Sequence, residues 1–248
     1  MIVRAAVVPH PPLLVPELVA GAAKVTQDLR SACLAAARSL SEAAVDWLAI
    51  AADPTGPATF GPSAAGSFAA YGVPVPVSLS PTAEAGQVGG LPGADLPLPV
   101  LIAGWLRGQV AARHVEVRLV DPDLPATACR CLGGELFESA ARSAEPVGLL
   151  VLGDGSNRHP DGSTAPADDR AEPFDAEVTT ALATADAMRL LKVDAGLATE
   201  LGAGGRVAWQ VLAGVALASG ERWRSETLYA DSPFGVGYHV AVWDPEWT

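Results

Sequence analysis

Six polar residues stand where chemistry would need them: His10, Asp53, Asp154, Asn157, His159 and Gln210. His10 sits in the stiff segment Pro9-His10-Pro11-Pro12, directly after the apolar run Ile2 to Val8. Asp53 follows a second apolar run, Asp46 to Ala52. Asp154, Asn157 and His159 follow a third, Val147 to Leu152. Imidazole and carboxylate converging at strand ends can hold a divalent metal or move a proton. Each residue also has a plain structural reading. The proline frame could simply orient the chain at His10, Asp53-Pro54 is a common turn start, and Asp154 between glycines suits a tight turn. His159 in Asn157-Arg158-His159-Pro160-Asp161 could be solvated. The other histidines are placed less well. His114 precedes a strand pattern at its amino end, and His239 alternates within the last one, which suits packing.

The elements that must position these residues alternate. The short apolar runs Ile2–Val8, Asp46–Ala52 and Val147–Leu152 read as buried strands, as does Val115–Val120. From Pro16 and Glu17, apolar residues recur through Leu18, Ala22, Val25, Leu29, Cys33, Ala36 and Leu40 at helical spacing. Further helices are expected at 100–113 and 126–142. A third should open at Asp169, with Glu172 completing a capping box, and turn Phe174, Val178, Ala181, Leu182, Ala185 and Met188 inward. A short helix near Leu197 and one over 206–218 follow; Gln210 on the latter could line a cleft. The strands 222–230 and 236–243 flank Asp231-Ser232-Pro233-Phe234-Gly235 as a hairpin.

Between Asp53 and Pro99, 17 of 47 residues are Gly or Pro, so the segment cannot be mostly helix. Short strands at 66–71 and 75–79 within a long loop are expected, forming a lid, a rim or a surface excursion. The sum is one α/β domain over residues 1–248. It has three layers, with helices on both faces of a mostly parallel or mixed sheet and an antiparallel carboxy-terminal edge. In such sheets, ligands bind beyond the carboxyl ends of the strands. The sequence therefore predicts that residues 10, 53 and 154–159 gather at one rim.

Composition excludes several classes. The chain has 16 basic and 28 acidic residues, a net charge of -12, which repels phosphate backbones and anionic lipid. Nucleic acid and membrane surfaces are therefore not the expected partners. Three cysteines make no disulfide framework and no four-ligand zinc site. No secretory signal precedes Pro9 and no run is long enough to span a bilayer, so a reducing cytoplasm is the expected location. Dinucleotide-binding and P-loop glycine patterns and the G-x-S-x-G elbow do not occur after a strand.

The opening Val7-Val8-Pro9-His10-Pro11-Pro12-Leu13-Leu14-Val15-Pro16-Glu17 resembles that of the class III extradiol ring-cleavage dioxygenases. The likeness is to the branch holding the protocatechuate 4,5-dioxygenase catalytic subunit and its Memo-like relatives. Gly153-Asp154-Gly155-Ser156-Asn157 is similar to that superfamily's small-residue, Asp, Ser-His segment. The resemblance implies a phosphorylase/hydrolase-like fold, a homodimer, and Fe(II) held by two histidines and a glutamate, with a further histidine as acid/base for a small aromatic substrate. His10 matches the first iron ligand. The second position is Asp53, and the acid/base position is Asn157, a vacancy that His159 or Asp154 would have to fill. No glutamate ligand can be placed. Asn157 and Gln210 remain as neutral amides for substrate. Two principal readings follow: a metal-dependent enzyme using Fe(II) or another divalent ion, or a binding or scaffold protein that has lost the iron site. A metal-dependent hydrolase is a third.

Overall fold

A computed structural model of the protein describes residues 1–19, 26–82, 95–160, 162 and 165–246. The strands are β1 (Ile2–Val8), β2 (Asp46–Ala52), β3 (Ala58–Phe60), β4 (Ala65–Ser67), β5 (Pro76–Ser78), β6 (His114–Val120), β7 (Val147–Leu152), β8 (Arg222–Asp231) and β9 (Tyr238–Glu246). Seven of them form one sheet in the order β3-β6-β2-β7-β1-β9-β8, while β4 and β5 form a separate pair. The four central strands are parallel, with β7 between β2 and β1. Both flanks are antiparallel, through β3 on β6 and through β9 and β8 beyond β1. The expected mixed sheet with an antiparallel edge is present. β3, unforeseen, adds a second antiparallel edge.

The helices are α1 (Gln27–Ala43), α2 (Leu98–Gly108), α3 (Ala126–Ala141), α4 (Ala171–Ala183), α5 (Ala187–Leu191), α6 (Ala195–Glu200) and α7 (Arg206–Ser219). Alternation along each strand divides the core in two. Ala6, Val8, Leu150 and Leu152 face α1 and α2. Val7, Ile50, Leu149 and Val151 face α3, α4 and α7. Central strands buried on both sides explain why their sequences read as unbroken apolar runs. Helix α7 is buried along residues 206–216, because it lies against both the sheet and α3. That contact requires glycine: a Cβ at Gly214 would lie 2.5 Å from the Arg130 carbonyl oxygen.

Several local expectations are corrected. The first helix begins at Gln27. Residues 12–14 and 16–18 form single 3-10 turns, and the Arg30 guanidinium reaches back to the Leu14 carbonyl at 2.7 Å. Ala22 and Val25 lie outside the described residues. No capping box opens α4. Arg170 is its N-cap, without a side-chain cap bond, and the nearby carboxylate that turns the chain is Asp168, which accepts the Arg170 N–H at 3.0 Å. α4 also stops early, because Ala185 takes φ 49°. A separate helix, α5, follows and leaves Met188 51% exposed instead of inward. Within the Gly/Pro-rich excursion, the strand expected over 66–71 is replaced after Ser67 by a 3-10 turn over Phe68–Tyr71.

Candidate functional site

The strands β1, β7 and β2 end side by side. After β1 the chain turns to the α1 face, and after β7 it turns to the opposite face. The end of β7 is thus a point where the winding reverses, the place where open α/β sheets form a crevice. Asp154 stands there. Its Oδ1 accepts the His10 backbone N–H at 2.9 Å, so two of the expected residues meet. The β1–β9 register pairs Val7 with Ala241, and continuing it brings Tyr238 to the level of His10. Burial pushes the Tyr238 phenol up, and the nearby Asp154 charge adds to the shift. The buried Cys33 thiol is raised by the same two causes in the same order. The Nδ1 of His10 is buried and has no hydrogen-bond partner among the described residues.

Asp53 lies at the same edge but across β7 from His10. Two strand spacings separate their strands by about 10 Å. Its Oδ1 accepts the Thr55 N–H at 2.9 Å and the Thr55 hydroxyl at 2.6 Å. That is the turn-forming role, and the expected His10–Asp53 metal pair is not formed.

His159 belongs to a different constellation. Its Nε2 lies 2.6 Å from Asp175 Oδ2, and His239 Nε2 lies 3.2 Å from Asp175 Oδ1. All three side chains are buried, at 6%, 6% and 3% exposure for His159, Asp175 and His239. The Ser156 N–H also donates to the carboxylate, at 3.1 and 3.2 Å to its two oxygens. His239 Nδ1 meets the Thr179 hydroxyl at 3.1 Å. This network assigns both imidazoles their Nε2–H form toward Asp175. Gly155 and Gly237 make the cradle. A Cβ at Gly155 would lie 2.5 Å from Asp175 Oδ1, and one at Gly237 would collide with the carboxylate. Three distant segments are joined here: the loop after β7, helix α4 and the start of β9. A carboxylate-held imidazole is the form a general base takes.

Sequence reasoning missed Asp175 and placed His239 only as a packed strand residue. The signal for Asp175 was present: it stands three before Val178 and seven before Leu182, so a carboxylate interrupts the buried stripe of α4. An acid at such a position needs a partner.

The remaining two candidates play other parts. Gln210 is fully buried and lines no cleft. Its Nε2 faces the carbonyls of Leu190, Leu191 and Val193 at 3.3, 3.4 and 3.1 Å. Its Oε1 accepts from Arg206 at 3.0 Å. It ties α7 to the end of α5. Asn157 packs its amide under the left-handed turn at Gly202, where any Cβ would strike it, and its N–H donates to the Leu201 carbonyl at 3.0 Å.

The donors do not fit a facial iron site. Such a site needs three protein donors aimed at one point. Asp53 is committed to Thr55 across β7, and the two oxygens of Asp175 serve separate imidazoles. Among the described residues no group of three or more His, Cys, Asp or Glu is placed to hold a metal ion. Also among them, no helix is long and apolar enough to cross a membrane.

No protein-family model matches the chain, and no curated protein matches it. Among solved structures, the crystal structure of the uncharacterized protein JW3007 from Escherichia coli K12 is similar to it. The TM-score is 0.49 at 14% sequence identity, covering 98% of this chain and 99% of that one.

Proposed function

We propose that the protein is a binding member of the ring-cleavage dioxygenase-like fold, one that takes a small aromatic molecule at the rim without building an iron centre. The observation that carries this reading is the separation of the donors. His10 and Asp154 stay together at the end of β7, while the other groups an iron centre would draw on are committed elsewhere. Support for a ligand at the rim comes from His10 Nδ1, which has no hydrogen-bond partner among the described residues. A buried ring nitrogen without a partner costs about 1–3 kcal/mol, and a hydroxylated aromatic that displaces the groups covering it and donates to it would remove that cost.

The test begins with metal analysis of untagged protein purified without chelator. Anaerobic Fe(II) loading and oxygen-uptake measurements with a panel of catechols come next, then melting shifts with the same panel. The reading expects substoichiometric metal, no oxygen uptake, and a catechol-induced melting shift that His10→Ala removes. Stoichiometric iron lost in His10→Ala, with oxygen consumed, would instead establish the dioxygenase reading, which rests on the resemblance of the His10 segment.

A further inference from the structure

Beside α4, a cavity of about 440 Å³ opens between α4, α5 and α6. Its size falls in the range of small-molecule sites. The floor is apolar, from Phe174, Val178, Val193 and Leu197. Three cations stand around it: Arg170, Arg189 and Lys192. Two are already engaged. Arg170 is forked onto Asp168 and also reaches Glu200, and Arg189 makes two bonds to Glu177. Of the acids that line the cavity, Glu177 is held by Arg189, and Asp194 accepts the Leu197 N–H at 2.7 Å as the cap of α6. Lys192 forms no ion pair or side-chain hydrogen bond among the described residues, and it is exposed at the mouth. It is one of two lysines in a chain of net charge -12. An apolar floor closed by anchored arginines, with one unengaged ammonium at its edge, is complementary to an apolar body that ends in a single negative charge.

We propose that this cavity is a binding site for a small apolar monocarboxylic acid, of aryl-alkyl or branched-alkyl type. The hydrocarbon body lies on Phe174, Val193 and Leu197, and the carboxylate pairs with Lys192. The site is separate from the rim and does not depend on the reading given to it. Arg170 and Arg189 contribute shape and field more than the ion pair itself, because each is already held against a carboxylate, Arg170 by Asp168 and Glu200 and Arg189 by Glu177.

The probe pair is 4-phenylbutyrate and the uncharged 4-phenylbutanol, titrated calorimetrically into the full chain. The acid is expected to bind one to one and about five- to tenfold more tightly than the alcohol, the preference one partly solvated charge contact provides. Lys192→Met is expected to remove that preference while alcohol binding survives. Val193→Trp, which fills the floor from a half-buried position, is expected to abolish both, with His10→Ala changing neither. Equal binding of acid and alcohol, no binding of the acid, or an unchanged preference in Lys192→Met would overturn the proposal. So would loss of acid binding in His10→Ala, which would move the ligand to the rim.

Discussion

His159 Nε2 and Asp175 Oδ2 are 2.6 Å apart, both beneath the surface, although the first belongs to a polar loop and the second to a helix. Asp175 also receives His239 from the last strand, 64 positions along the chain. One carboxylate thus fastens three segments at the crest of the sheet.

Asp175→Asn should therefore destabilise the protein strongly. The amide cannot accept from two imidazoles and the Ser156 N–H together, so at least one buried donor loses its partner. The expected loss is about 2–4 kcal/mol of unfolding free energy, read from urea denaturation followed by circular dichroism. A loss below about 0.5 kcal/mol, the size of an ordinary surface change, would show that the cluster does not hold these segments.

The cradle makes a second claim. Gly237 presses its Cα against the Asp175 carboxylate so closely that any side chain would collide. Gly237→Ala is expected to cost about 1–3 kcal/mol, as overpacking does. Because the collision is with Asp175 itself, the double variant with Asp175→Ala should lose less than the sum of the two single changes. Strict additivity in the denaturation series would place the strain elsewhere.

At the opposite end of the sheet, Asp46 accepts the Arg113 Nε at 2.7 Å and lies 3.2 Å from His114 Nδ1. The hydrogen bond from Arg113 holds its carboxyl below the ordinary value of 3.8, with burial opposing. A carboxyl lowered by folding contributes stability that is complete above its unfolded value and disappears as the group is protonated. The melting temperature should therefore fall as pH drops below about 4. Arg113→Ala should flatten that fall, since the folded and unfolded values of Asp46 then come closer. An unchanged slope between pH 2 and 5 would remove Asp46 from the acid response.

Thiol chemistry separates the three cysteines. Cys131 is exposed, while Cys33 and Cys129 are buried, and burial raises the thiols of both buried residues. A thiol is reactive as thiolate and only where reagent can reach it. Native protein at pH 8 should release one equivalent of chromophore from an aromatic disulfide reagent, and denatured protein three. Cys131→Ser should abolish the native reaction. A second fast equivalent in the native state would show that α1 or α3 opens.

Local sequence set much of this architecture. The strands Asp46–Ala52 and Val147–Leu152 have the bounds their apolar runs define, because a strand buried on both faces needs no polar residue along its length. Turn chemistry was harder to read. Asp169 and Glu172 have the right spacing for a capping box, yet Asp168 makes the turn, since two adjacent acids leave the choice to a side-chain geometry that spacing does not encode. Likewise Met188 fits the inward stripe of one long helix. The left-handed turn at Ala185 breaks that helix and rotates the residue outward.

The site divides in the same way. That His10, Asp53 and Asp154 occupy one edge follows from the strands that precede them, since parallel strands end on the same side. Which of them touch depended on strand order: β7 lies between β1 and β2, giving Asp154 to His10 and leaving Asp53 to Thr55. The pairing of Asp175 with His159 and His239 was decided by how α4 and β9 pack on the sheet. Hydrophobic periodicity reports which face of an element is buried, but every apolar neighbour satisfies it equally. Only the assembled chain selects the polar partners that a buried carboxylate must find.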